Sequence, residues 1–147
     1  FAPIAATNFL TLVEQSFYDG ILFHRVIPGF MIQGGDPTGT GMSGPGYTIK
    51  DEPVKGLEAR TYKVDGKTVS VPVYQKGLVA MARTGAPNSA GSQFFIMVED
   101  YPLDPLYIVF GKVIEGQDVA DAISNAPRGQ SDRPHEDVRI ISAKIES

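Results

Sequence analysis

The sequence predicts a mainly β domain, an antiparallel barrel closed or nearly closed on itself, with two short helices. Three observations lead there. Short apolar and β-branched runs recur at 21–27, 68–73, 77–82, 93–98, 107–114 and 138–145. Sixteen glycines and eleven prolines punctuate them. Only 3–15 and 117–124 carry apolar residues at helical spacing.

The elements follow in order. Pro3 suits the first turn of a helix over 3–15, where a missing N–H costs nothing, and Ile4, Phe9, Leu10 and Val13 supply its apolar positions. Tyr18-Asp19-Gly20 ends it with turn chemistry. A strand over 21–27 breaks at Pro28-Gly29, and a second over 30–33 ends in Gly34-Gly35-Asp36. Residues 37–46 are too rich in Gly and Pro for regular structure. Runs 62–64 and 68–73 flank Asp65-Gly66, a hairpin signature. Strands at 77–82, 93–98 and 107–114 are separated by loops over 83–91 and 99–106. A helix over 117–124 has Val119 and Ile123 four apart, and a strand over 138–145 closes the chain. No repeat, linker or second domain shows, so residues 1–147 read as a single domain.

Composition narrows the chemistry. A chain of 147 residues can bury one core without staples. A net charge of −4 gives no general attraction to nucleic acid or anionic lipid. No apolar stretch approaches the roughly 20 residues of a membrane helix. With no cysteine there is no disulfide, thiolate metal site or cysteine nucleophile. His24 and His135 are the only histidines, neither with an acidic residue at metal-ligand spacing, so no metal or cofactor is expected. Gly39, Gly41 and Gly44 form a literal G-x-G-x-x-G, but Pro45-Gly46-Tyr47-Thr48-Ile49 cannot begin the helix a dinucleotide site needs. Asp51-Glu52 reads as surface charge, and no G-x-S-x-G elbow is present.

Strand alternation sorts the remaining candidates. His24 and Arg25 fall on opposite faces, Met31 and Gln33 share one, and Gln93 shares one with Phe95 while Phe94, Ile96 and Val98 share the other. The second set suits a barrel interior. The first suits an apolar pocket with a few aimed hydrogen-bond groups. A half-buried surface would show the same alternation.

These residues lie in a longer pattern. Phe23-His24-Arg25-Val26-Ile27-Pro28-Gly29-Phe30-Met31-Ile32-Gln33-Gly34-Gly35-Asp36 resembles the central signature of cyclophilins. Met81-Ala82-Arg83 with Asn88-Ser89-Ala90-Gly91-Ser92-Gln93-Phe94-Phe95-Ile96 resembles their second, and Val109-Phe110-Gly111-Lys112-Val113 their third. Order and spacing agree over nearly the whole chain, and the loops 39–52 and 83–92 look closer to bacterial members. The resemblance implies a closed eight-stranded antiparallel barrel capped by two helices, with peptidyl-prolyl cis/trans isomerase activity on proline-containing peptides and folding proteins. It implies Arg25 as the catalytic residue, with Gln33 and Gln93 orienting it and the peptide. Phe30, Met31, Phe95 and Leu103 would hold the proline ring with Tyr107 beside them, and the Ala82-Arg83 backbone would pair with the substrate. His24 would be structural. A monomer is expected, cytoplasmic, with any signal upstream of Phe1 outside the sequence.

The residue types fit that chemistry. Rotation about X-Pro meets a barrier of roughly 18–20 kcal/mol because amide resonance must be broken. No bond is cleaved, so no nucleophile or base is needed. In the twisted state the proline nitrogen becomes pyramidal and gains a lone pair. A guanidinium aimed there stabilises the twisted amide more than the planar one, and arginine's planar fork is positionally fixed.

Three features depart from the family pattern. Cyclophilins begin with two strands before the first helix, whereas this sequence opens at Phe1-Ala2-Pro3, so that hairpin is absent and an incomplete or processed chain is expected. Pro102 stands where many members carry Trp and Tyr107 where they often carry His, which implies only weak cyclosporin binding. Residues 53–76 are longer than in the shortest members, a partner-binding insertion or a plain surface loop. The rival function is a cyclophilin-like module that holds proline segments without turning them over. Retention of Arg25 argues against it. An unrelated sugar- or nucleic-acid-binding barrel is disfavoured by the acidic charge.

Overall fold

The computed structural model describes residues 2–146. Helix α1 (Pro3–Glu14) has proline in its first turn. Its N-terminus is capped from far along the chain: the Glu52 carboxylate accepts the N–H groups of Ile4 (2.9 Å) and Ala5 (2.7 Å). That satisfies two donors left over at a helix start and sets a negative charge at the positive end of the helix dipole. Asp51 is also engaged, by the Asn88 N–H at 2.8 Å and the Arg83 guanidinium. The reading of Asp51-Glu52 as surface charge is therefore corrected. Ala5, Phe9, Leu12 and Val13 form the inward stripe of α1, at the i, i+4, i+7, i+8 spacing of one helical face, while Ile4 and Leu10 are exposed.

Eight strands follow: β1 (Arg25–Ile27), β2 (Met31–Gly34), β3 (Glu58–Val64), β4 (Lys67–Tyr74), β5 (Leu78–Met81), β6 (Phe94–Met97), β7 (Tyr101–Pro102) and β8 (Val109–Lys112). Helix α2 (Gln117–Ser124) and a 3₁₀ turn (Gln130–Asp132) come after them. In α2 it is Ala120 and Ser124 that are buried, while Val119 faces solvent. Among the described residues no helix is long and apolar enough to cross a membrane.

The strands form two open sheets, not the single closed barrel expected. One sheet has the order β1-β2-β6-β5-β8 and the other β3-β4-β7. Closure would need strands joining the β1 edge to the β8 edge, and the described residues supply none. Segments 20–23 and 138–140 come closest. Phe23 N–H donates to the Val138 carbonyl and Ile140 N–H to the Ile21 carbonyl, both at 2.9 Å, but they form only one bridge, Leu22 to Arg139. A single bridge is not a ladder. The expected strand over 138–145 is thus corrected, with Ile141 91% exposed, and the expected 21–27 strand shortens to β1.

The β3–β4 hairpin is longer than its sequence signature. Its turn residues Asp65 and Gly66 have φ of 50° and 77°, the paired positive values a type I′ turn demands. The expected 99–106 loop contains β7, which pairs Tyr101 with Tyr74 and Pro102 with Val73.

Register sorts the five-stranded sheet into two faces. Arg25 lies opposite Gln33, Gln33 opposite Phe95, Phe95 opposite Ala80, and Ala80 opposite Val109. Residues directly opposite share a face, so Arg25 heads a row across the sheet. The alternate face carries Val26, Ile32, Ile96 and Val79, which pack with Leu12 and Val13 of α1 and Ala120 and Ile123 of α2. The helices thus cover one side and leave Arg25's side for other chemistry.

Candidate active site

Arg25 is half-buried at the start of β1. Its Nη1 donates to Gln33 Oε1 at 3.3 Å, Gln33 Nε2 donates to Gln93 Oε1 at 3.0 Å, and Gln93 Nε2 donates to the carbonyls of Gly41 (3.0 Å) and Ser43 (2.9 Å). The two ends fix the direction of this relay. A guanidinium has no acceptor, so Gln33 must turn its oxygen toward Arg25 and its amide nitrogen toward Gln93. At the far end two carbonyls accept only, so Gln93 must turn its nitrogen to them. Both amides are oriented without ambiguity, and the three expected polar residues meet as one chain.

Beneath the relay lies an apolar floor. Met31 and Phe95 are 2% and 4% exposed, within a cluster that includes Tyr74, Ala80, Met97 and Val109. Phe30, Ala82, Leu103 and Tyr107 pack against it as partly buried neighbours. The Phe95 ring meets Tyr107 edge-on at 5.5 Å. Two residues missed at the sequence level complete this wall. Tyr74 donates its hydroxyl to the Tyr107 carbonyl at 2.7 Å and accepts the Tyr107 N–H at 3.0 Å, which fastens the 103–107 segment over the floor. Burial pushes the Tyr74 phenol up to about 12, so it stays a donor. Tyr101 stacks on Phe30 with ring centroids 4.3 Å apart. It reaches that ring because β7 pairs with β4, a long-range pairing that local pattern does not reveal.

Ala82 and Arg83 are placed differently from each other. The Ala82 N–H already donates to the Gln93 carbonyl at 3.0 Å, so it is not free for a substrate strand. The Arg83 guanidinium staples its own loop, bonding the carbonyls of Thr84, Ala86 and Leu106 and the Asp51 carboxylate.

Two cavities flank the relay. One, of about 670 Å³, lies between residues 41–48 and the 82–84 and 89–93 segments; the other, of about 910 Å³, is bordered by Arg25, His24 and residues 129–135. Gln33 and Gly41 line both, so the relay is the ridge between them. His24 borders the same cavity as Arg25, but its ring is buried and packs under Gly41.

Burial lowers the His24 imidazole below its usual 6.5; Asp36 pulls the other way, and the Arg133 and Arg25 guanidinium groups add to the lowering. The folded ring therefore stays neutral where the unfolded one takes up a proton. Stability is then full above 6.5 and declines as pH falls below it toward the folded value. Thermal unfolding followed from pH 7.5 down to 5 should show that decline in the wild type and a flatter profile in His24→Gln. Identical profiles would refute it.

Comparison with known proteins decides the family. The model described as cyclophilin type peptidyl-prolyl cis-trans isomerase/CLD matches residues 1–145. The chain belongs to the cyclophilin family. An Acinetobacter baylyi peptidyl-prolyl cis-trans isomerase is 43% identical to it over 157 residues, covering 99% of this chain and 76% of the relative. The peptidyl-prolyl cis-trans isomerase-like 1 protein of Gibberella zeae is 40% identical over 98% of this chain and 82% of its own. Against the Arabidopsis thaliana isomerase CYP65 the identity is 41%, but the chain spans only 22% of that protein. Among solved structures, a Cryptosporidium parvum cyclophilin crystallised in the presence of the dipeptide Ala-Pro superposes with a TM-score of 0.82 at 36% identity, covering 99% of this chain and 87% of that one. A Hirschia baltica cyclophilin gives 0.72 at 28% identity over 97% and 65%. This cyclophilin thus shares the family's mainly β fold with two helices, and its relatives include bacterial proteins.

Proposed function

We propose that this cyclophilin accelerates rotation about X-Pro bonds in peptides and folding proteins, and that Arg25 stabilises the twisted amide. The observation that carries the reading is the relay itself: one guanidinium, aimed by Gln33 and Gln93, at the rim of an apolar floor. A proline ring resting against Phe30, Leu103 and Tyr107, above Met31 and Phe95, is anchored by burial, while the acyl side stays free to turn. Arg25 uses one donor on Gln33 and keeps others for the substrate. As the C–N bond twists, the nitrogen lone pair no longer delocalises and attracts a positive donor. That attraction is absent from the planar state, which makes it catalytic and not merely binding. Uncatalysed exchange takes tens to hundreds of seconds, so lowering the barrier by about 5–7 kcal/mol brings it to milliseconds. The crystallisation of the Cryptosporidium relative in the presence of Ala-Pro supports proline peptides as the substrate class.

Exchange NMR on an Ala-Pro peptide tests the activity. With substoichiometric protein, cis/trans cross-peaks are expected at mixing times where the peptide alone shows none. Binding with no added exchange would instead favour the module that holds proline without turning it over.

Cyclosporin should bind weakly. Pro102 lies exposed in β7 and offers no indole N–H where many cyclophilins carry tryptophan. Micromolar or weaker inhibition of the peptide exchange is the expected result, and nanomolar inhibition would contradict it.

A further inference from the structure

Asp36 lies two residues past the end of β2 and is fully buried. A buried carboxylate is costly unless its oxygens are satisfied. Oδ1 accepts the Thr38 N–H at 2.7 Å and the Thr38 hydroxyl at 2.8 Å; Oδ2 accepts the Ser43 N–H at 3.1 Å and the Thr40 hydroxyl at 3.2 Å. Burial alone would raise this carboxyl, but these bonds, helped by the nearby Gly41 N–H, outweigh it and hold it at about 2. Asp36 is therefore ionised at every working pH.

All of those donors belong to the Gly-rich segment 37–46, which lacks helix or strand. Its glycines allow the shape, with φ of 69° at Gly39 and 81° at Gly41, but cannot enforce it. Asp36 supplies the enforcement from within, and Arg133 adds one outer tie, Nη1 to the Gly39 carbonyl at 2.7 Å. The residues it holds matter for the relay. Ser43 gives its N–H to Asp36 and its carbonyl to Gln93, while Gly41, next to the Thr40 whose hydroxyl Asp36 holds, gives Gln93 its other carbonyl. Ser43 directly, and Gly41 through its neighbour Thr40, thus join a buried charge to the end of the amide chain.

We propose that Asp36 is a positioning residue for Arg25: its carboxylate shapes the loop so that the Gly41 and Ser43 carbonyls orient Gln93, which through Gln33 aims the guanidinium. The proposal rests on the catalytic reading of Arg25 given above. Asp36 acts only through these links, since none of its hydrogen bonds reaches Arg25 or Gln33. Without it the loop carbonyls lose their fixed places, and Gln93 can turn its amide over. Gln33 would then be free to present nitrogen instead of oxygen to Arg25, where two donors repel.

The experiment compares wild type, Arg25→Ala, Asp36→Asn and the double variant Thr38→Val with Thr40→Val, using kcat and KM for an Ala-Pro peptide together with the Gln93 side-chain amide resonance. Asp36→Asn keeps the volume but removes the charge and an acceptor. The double variant removes two hydroxyl donors at exposed positions, so it keeps the test open if Asp36→Asn does not fold. Loss of positioning should lower kcat by about 10–100-fold in Asp36→Asn, less in the double variant, with KM little changed and the Gln93 amide shifted in folded protein. Unchanged kcat in both variants would overturn the proposal. So would a loss of kcat that merely tracks the unfolded fraction while the Gln93 resonance stays in place. Full activity in Arg25→Ala would instead defeat the catalytic reading, and the Gln93 resonance would then still decide whether Asp36 sets the relay.

Discussion

Arg25→Ala should lower kcat/KM for an Ala-Pro peptide by about 10²–10³-fold, the usual cost of removing a preorganised donor from a developing charge. The loss should fall on kcat. In the ground state the proline nitrogen has no lone pair to offer, so Arg25 contributes little to binding the planar peptide, and KM should move less. Thermal stability should hardly change, because the side chain is half-exposed and has one hydrogen bond, at 3.3 Å. Arg25→Lys sharpens the result. Lysine keeps the charge but not the planar fork, so it can satisfy Gln33 or face the substrate, and does neither from a fixed position. It should recover only a small part of the lost activity. Activity unchanged by either substitution would remove Arg25 from the mechanism, and a KM-dominated loss would recast it as a binding group.

What local pattern made legible was parity. The alternation of Gln93 with Phe95 and of Met31 with Gln33 places these side chains on one sheet face, and the register of β1, β2 and β6 puts Arg25 and Gln33 in line with Phe95. Other parts of the site depend on partners far along the chain. Tyr101 reaches Phe30 only because two residues of an expected loop pair with β4. Glu52 looks like surface charge until α1 is seen to begin against it. Asp36 had a local signal, a carboxylate followed by Thr38 and Thr40 in turn chemistry, but its burial and its hold on Ser43 appear only once the loop is folded. Closure of the barrel was expected both from the run of short strands and from the family resemblance, but the three- and four-residue strands of the five-stranded sheet leave its β1 and β8 edges unpaired.

Gly35→Ala should be the most damaging single-methyl change in the chain, and its damage should reach the relay. Gly35 has φ of 99°, where an L residue is strained. An added Cβ would also collide with the Ser92 carbonyl and lie 3.0 Å from Gln93 Cα and 3.1 Å from the Ser92 carbonyl carbon. All three are backbone atoms, so no side-chain rotation relieves them. Nor can Ser92 withdraw easily: the Tyr18 hydroxyl holds its carbonyl at 2.8 Å, and its own hydroxyl is tied to the Gly35 carbonyl at 2.7 Å. Strain and collision together should cost about 4 kcal/mol or more, a large part of the stability of an ordinary domain. For a chain of this size that is a fall in Tm of about 10 °C or more. Gly29→Ala is the matched control. Its φ of 74° carries the same kind of backbone strain, but nothing lies within 4 Å of the new Cβ, so it should lose only about 1–2 kcal/mol. Equal losses in the two variants would show that the close approach of Gly35 to the Ser92-Gln93 backbone is unimportant. If the approach matters, the folded fraction of Gly35→Ala should also show reduced kcat. Pushing Ser92 away moves Gln93 with it, and Gln93 is the link through which Gln33 is held against Arg25.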